Sequence, residues 1–176
     1  MRLLQIDFNP ERRKSRPSLL DEKMKLILKQ KIFSLLDSYD IYNEQDEIEY
    51  QVKSDFDFSH HFVVYHQGLE VGELKQKVLT LLPAFTIYEH GQELCEVKSK
   101  LTFWRDRLEI PSLNWMVQGD LFHWDYNIYE AERLVARISK EWFHFSDVYV
   151  IDIQESKDAL RVLMVALAID ALHCHD

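Results

Sequence analysis

Glycine is scarce. The chain has four, Gly68, Gly72, Gly91 and Gly119, and no two are spaced to cradle a phosphate or to open a dinucleotide-binding turn. Cysteine is scarcer: Cys95 and Cys174 are too few and too far apart for a disulfide framework, which points to a reducing, intracellular setting. No C-x-x-C pair, H-E-x-x-H or G-x-S-x-G occurs, and the acidic residues are scattered without a recognisable carboxylate pair. No catalytic residue, metal or cofactor is expected, and the chain is read as a non-enzyme. Positive charge is also short. Lys and Arg number 21 against 30 Asp and Glu, a net charge of −9 that argues against nucleic acid as a partner. It argues more weakly against anionic membranes, because a local basic patch can still act. Arg2 is followed by only a short apolar patch before Asp7 and Pro10, so no secretory signal is read. No apolar run reaches the roughly 20 residues that span a bilayer.

One apolar run is nevertheless conspicuous. From Ala159 to Leu172 only Arg161 and Asp170 are charged, and Val162 to Ile169 is unbroken. A surface helix has a polar face; a helix apolar all round is buried. A central helix is expected over about 156–173, with Ser156 as its N-cap and Asp158 in its first turn. Such a helix needs a wrapper.

The rest of the chain is built as one. From Lys25 onward short alternating segments rich in Val, Ile, Phe and Tyr replace the helical period. They repeat. Leu28-Lys29-Gln30-Lys31-Ile32-Phe33-Ser34-Leu35-Leu36 is echoed 46 residues later by Leu74-Lys75-Gln76-Lys77-Val78-Leu79-Thr80-Leu81-Leu82. Weaker copies begin at Val52, Val97, Val117 and Ile138, so the six anchors are spaced 24, 22, 23, 20 and 21 apart. Each unit reads as strand, link, strand, and the second strands end on pairs such as Ile41-Tyr42, Val64-Tyr65, Ile87-Tyr88 and Ile128-Tyr129. Six hairpins predict a mainly β fold, a closed twelve-stranded antiparallel barrel around the C-terminal helix. A barrel that wide cannot be filled by strand side chains alone, and the helix fills the surplus.

Alternation assigns faces. The inward sets are Leu28, Gln30, Ile32; Val52, Ser54, Phe56; Leu74, Gln76, Val78; Val97, Ser99, Leu101; Val117, Gly119, Leu121; and Ile138, Lys140, Trp142. Their middle members are small or polar, as clearance for the helix requires. Lys140 then points inward and needs a counter-charge, and Asp170 or the helix C-terminus is expected to supply it. Outward on the first strands fall Lys29, Lys31, Lys53, Lys75, Lys77, Lys98 and Lys100, a lysine belt. It reads either as a cationic surface for phosphate head groups or as a solvated face, partly neutralised by Asp55, Glu73 and Glu96, that discourages edge pairing.

Residues 1–23 read as a flexible appendage holding Arg12, Arg13, Lys14 and Arg16, and residues 24–176 as a single barrel domain. Met24 is an alternative translation start. His60-His61 is a poor chelate because neighbours on a strand face opposite ways. His173-Cys174-His175-Asp176 has zinc-binding atoms but reads as a frayed terminus. Trp104, Trp115, Trp124, Trp142, Phe122, Phe143 and Phe145 lie near strand ends, either as core and rim packing or as an exposed interfacial set.

The constellation K-Q-K-I-F-S-L-L (29–36), F-T-I-Y-E-H-G (85–91), L-N-W-M-V-Q-G-D-L (113–121), D-Y-N-I-Y (125–129), R-I-S-K-E-W-F (137–143) and A-L-A-I-D-A-L (166–172) resembles the LURP-one-related family. Through it the chain is similar to the tubby C-terminal-like superfamily, which includes the phospholipid scramblases. The resemblance covers about residues 25–173. It implies a twelve-stranded barrel around a central C-terminal helix and no catalytic residues. It also brings phosphoinositide recognition on the barrel surface of tubby domains, a site that has no residue-by-residue match here. The expectation is a monomeric, cytoplasmic, non-enzymatic binding module, peripheral at the membrane and recognising anionic phospholipid. The alternative is a protein-interaction module using the barrel rim or the basic arm.

Overall fold

In the computed structural model, which describes residues 22–29, 38–55, 60–98, 107–143 and 146–173, the alternating segments form twelve antiparallel strands in one sheet. They are β1 (Met24–Leu28), β2 (Ser38–Tyr42), β3 (Ile48–Asp55), β4 (His61–His66), β5 (Leu69–Gln76) and β6 (Ala84–Glu89), then β7 (Gln92–Lys98), β8 (Arg107–Ile110), β9 (Trp115–Asp120), β10 (Asp125–Glu130), β11 (Arg133–Phe143) and β12 (Ser146–Ile153). A single 3-10 turn at Ser156–Asp158 leads into α1 (Ala159–His173).

The strands run as a meander whose first and last members pair. Met24 to Leu28 of β1 lie opposite Ile153 to Tyr149 of β12. The order is β7-β6-β5-β4-β3-β2-β1-β12-β11-β10-β9-β8, which leaves β7 and β8 at the two ends of the sheet. The expected closed barrel is therefore corrected to a nearly closed one. Among the described residues no ladder joins β7 to β8, and a cleft of about 300 Å³ lined by Glu96, Lys98, Leu108, Glu109, Pro111 and Ser112 lies between them.

All six anchors, Leu28, Val52, Leu74, Val97, Val117 and Ile138, are buried, as are the second-strand residues Ile41, Val64, Ile87, Ile110, Ile128 and Ile151. The repeat is thus the inner wall of the barrel. The Ile-Tyr and Val-Tyr pairs have a further role: the register slips at Ile41/Tyr42, Val64/Tyr65, Ile87/Tyr88 and Ile128/Tyr129. A bulge at one recurring position adds twist and curvature, which a sheet needs in order to roll up. The turns that follow at Gln67-Gly68 and His90-Gly91 place both residues at positive φ, the tight hairpin geometry that matches strand twist.

α1 fills the barrel. Val162 to Ile169 are buried without exception. It packs closely on Gly72 of β5, where an added Cβ would stand 2.4 Å from Met164 Sδ. That glycine lies two inward positions before Gln76, the clearance position assigned to β5; of the positions so assigned, Ser54, Gln76, Gly119 and Lys140 are half-buried. Two expectations change. Ser156 does not cap α1, because it sits inside the 3-10 turn, and its backbone N–H donates instead to the Glu22 carbonyl at 2.9 Å. Val78 does not point inward. β5 ends at Gln76, Leu79 then takes a φ of 63°, and the alternation that would have turned Val78 inside is lost. Gln30, Ile32, Phe56, Ser99, Leu101 and the appendage to residue 21 lie outside the described residues, as does the side chain of Trp142.

Truncation after Glu155 removes the plug. The remaining chain should be insoluble or molten, with no cooperative melting transition in calorimetry; a soluble truncation with a sharp transition would show that the sheet closes without α1.

Candidate anion-binding surface

The links between strands divide the molecule into two unlike ends. At the end where α1 begins, the chain turns at Asn43 to Glu47, Gln67-Gly68, His90-Gly91 and Ala131-Glu132. Arg133 there binds Glu130 at 2.6 Å and Glu155 at 2.7 Å and reaches Asp158, while Arg161 of α1 clamps Glu89 of β6 through Nε and Nη2. These ion pairs seat the helix start on the sheet.

At the other end Asp170 lies near the helix C-terminus, where the dipole disfavours an anion. Its Oδ1 accepts from Trp124 Nε1 at 2.9 Å. The Trp124 ring lies against Tyr149, with centroids 4.5 Å apart, and Lys140 Nζ stands 6.0 Å from the Tyr149 ring centre. Lys140 and Asp170 therefore flank the same two aromatics at one corner of the barrel. Burial, then the charge of Asp170, holds the Tyr39 and Tyr126 hydroxyls above their ordinary pKa. Trp124 as the partner of Asp170 was not legible in the sequence, because the two are 46 residues apart and Trp124 occupies a turn.

The lysine belt occupies one contiguous half of the sheet. Lys29 follows β1, Lys53 is on β3, Lys75 is on β5 and Lys98 ends β7, with Lys77 just past β5. Alternate strands lie about 9.5 Å apart, twice the strand spacing, and the register sets Lys53 in line with Glu73 and Lys75 in line with Glu96. Three of them stand over a tyrosine of the partner strand in their own hairpin: Lys29 over Tyr42 at 4.0 Å, Lys53 over Tyr65 at 4.9 Å and Lys75 over Tyr88 at 5.1 Å. The repeat unit thus encodes a cation–π pair as well as an inner wall. Lys31 and Lys100 lie outside the described residues.

Carboxylates compensate much of this charge. Lys29 pairs with Asp46, and Glu73 takes both Lys75 at 2.9 Å and His61 at 2.7 Å. Lys77 at 3.1 Å and Lys98 at 3.2 Å share the single carboxylate of Glu96. Burial alone would raise the pKa of Glu73 and Glu96, but hydrogen bonds from Lys75 and His61, and from Lys77 and Lys98, outweigh it and hold both below the usual carboxylate range. One carboxylate thus serves two lysines, and the surface keeps an excess of positive charge at the Lys77–Lys98 pair.

The remaining candidates separate. His61 is bound to Glu73, while the His60 ring stacks on Phe62 at 6.4 Å, so the two histidines do face different surroundings. Among the described residues no three His, Cys, Asp or Glu converge as a metal site; Cys174, His175 and Asp176 lie outside them. Cys95 is buried, which pushes its thiol up to about 12. Trp115 and Trp124 are buried, Phe122 is exposed, and Trp104 and Phe145 and the side chain of Phe143 are not among the described residues. A cleft of about 680 Å³ lies outside β8 to β10 between Arg107, Glu109, Trp115, Gln118, Tyr129 and Glu132. No described helix is long and apolar enough to cross a membrane.

A carboxylate whose folded pKa is lowered contributes stability above its unfolded value and loses it as pH falls through the folded value. Replacing Glu73 and Glu96 together by Gln should therefore flatten the acid limb of the Tm-against-pH curve. An unchanged acid limb would show that the lysine pairs carry no linkage.

The uncharacterized protein YxjI of Bacillus subtilis (strain 168) is 30% identical to this chain over 156 residues, covering 87% of this chain and 96% of that one. The LURP-one-related family model matches residues 24–170, from the start of β1 to Asp170 near the end of α1. With that match spanning the whole barrel and nearly all of its plug, the chain belongs to the LURP-one-related family.

Proposed function

We propose that the protein is a non-enzymatic binding module that recognises anionic phospholipid head groups on the lysine-bearing half of its barrel, as a monomer at the cytoplasmic face of a membrane. The observation that carries this reading is the gathering of Lys53, Lys75, Lys77 and Lys98 on and beside alternate strands of one half of the sheet, with two lysines sharing one glutamate. A phosphate can replace Glu96 as the partner of either lysine without leaving a charge uncompensated. The barrel wrapped around a C-terminal helix supports placement in the tubby C-terminal-like superfamily. A protein-interaction module is the second reading; exposed Leu79, Leu81 and Phe122 at one rim favour it.

Lys140 and Asp170 are proposed as a structural charge pair across the barrel corner, supported by the contact between Tyr149, beside Lys140, and Trp124, which binds Asp170. A double-mutant cycle with Lys140→Met and Asp170→Leu should show the double variant more stable than the sum of the singles by about 1 kcal/mol or more. Additive losses would rule the pair out.

The lipid reading is tested by co-sedimentation with neutral and with anionic liposomes at low and near-physiological salt. Binding should need anionic lipid and weaken as salt screens it. Lys75→Gln with Lys77→Gln should lower affinity roughly tenfold, less than two unpaired lysines would contribute, because both are partly neutralised. A protein that stays in the supernatant throughout would leave the protein-interaction reading.

A further inference from the structure

The link between β5 and β6 departs from every tight turn at the opposite end of the barrel. It reads Lys77-Val78-Leu79-Thr80-Leu81-Leu82-Pro83, with Leu82 and Pro83 half-buried and the other apolar side chains facing outward. Val78 is 60% exposed, Leu79 104% and Leu81 96%. The base of the link is held shut: the Lys77 backbone N–H donates to the Ala84 carbonyl at 2.8 Å, and Thr80 Oγ1 donates to the Lys77 carbonyl at 3.3 Å. What projects is a braced apolar tip.

Leu79 also sits at a φ of 63°. Leucine is disfavoured there, and glycine or asparagine would take the position at lower cost. Buried contacts inside the fold would offset that cost, but among the described residues the side chain is fully exposed. A contact outside the fold would offset it instead. Around the base stand Lys75, Lys77 and Lys98, with Glu96 shared by the last two. Phe122 is exposed at the same end, in the turn that brings Trp124 to Asp170.

We propose that residues 78–82 form a membrane-inserting finger: Leu79 and Leu81 enter the boundary between head groups and acyl chains, while Lys77 and Lys98 meet the lipid phosphates. An apolar tip above a cationic collar matches the layering of an anionic bilayer, in which hydrocarbon lies beneath phosphate. This rests on the lipid reading above and adds its geometry: the barrel stands on the membrane by the end where α1 finishes.

The test uses vesicles of phosphatidylcholine with and without phosphatidylserine. Leu79→Ser with Leu81→Ser should weaken binding to the mixed vesicles roughly 10- to 100-fold, by removing two apolar side chains that insert. Its salt dependence should match that of the wild type, because the lysines are intact. Tm should be unchanged, since both side chains are exposed. Independently, Leu79→Cys in a Cys174→Ser background, labelled with a fluorophore, should be quenched by lipids carrying a nitroxide on the upper acyl chain; Cys95 is buried and does not compete. If the wild type binds but the serine variant binds equally and the probe is not quenched, the finger is overturned and the lysine surface stands. If the wild type binds neither vesicle, the lipid reading is overturned and the finger falls with it.

Discussion

A helix with no polar face cannot stand in water. Burying its eight-residue apolar core, Val162 to Ile169, contributes on the order of 10 kcal/mol by area bookkeeping, an upper estimate that already rivals the whole net stability of a typical domain. The twelve strands exist in this arrangement because they give that helix somewhere to go. In turn they need it, since a sheet this wide leaves an interior that its own side chains cannot fill. Anchors on the first strands and their counterparts on the second strands face α1 throughout the described barrel. The bulges at four Ile-Tyr or Val-Tyr pairs supply the curvature that brings β1 round to β12.

The polar groups of α1 lie near its two ends, and the sheet answers them differently. At the start, Arg161 reaches Glu89, and Arg133 gathers Glu130, Glu155 and Asp158. At the finish, Asp170 stands where the helix dipole opposes it and takes the indole N–H of Trp124. A neutral donor in a turn thus helps to fix the depth of the plug. The same turn exposes Phe122, so the residues that seat the helix and those that face outward share one short segment.

The outer face obeys a second code laid over the first. Lysine on one strand and tyrosine on the next recur in three hairpins, one pair per repeat. The aromatic rings and the interleaved carboxylates hold the lysines in a row on a chain whose net charge is −9. A row held this way is only slightly cationic overall, and a strong attraction to any polyanion is not built in. Selectivity would have to come from the place where the compensation is incomplete, at Glu96 between Lys77 and Lys98.

Much of the architecture was legible because it repeats. A unit of about 22 residues appears six times, and period-two alternation within it assigned all six anchors to the interior. The uninterrupted apolar run named the helix, since no polar stripe was available to face water. The sequence could not show where alternation stops: Val78 was placed inside by counting, yet the chain leaves the strand at Gln76 and turns it out. Nor could it show that no ladder joins the described residues of β7 and β8, because closure depends on the summed twist and stagger of all twelve strands. Contacts between distant residues, such as Trp124 with Asp170 or Lys77 and Lys98 with one Glu96, arise only when the sheet register brings them together. Local spacing determines which face a side chain takes; the tertiary structure decides whom it meets.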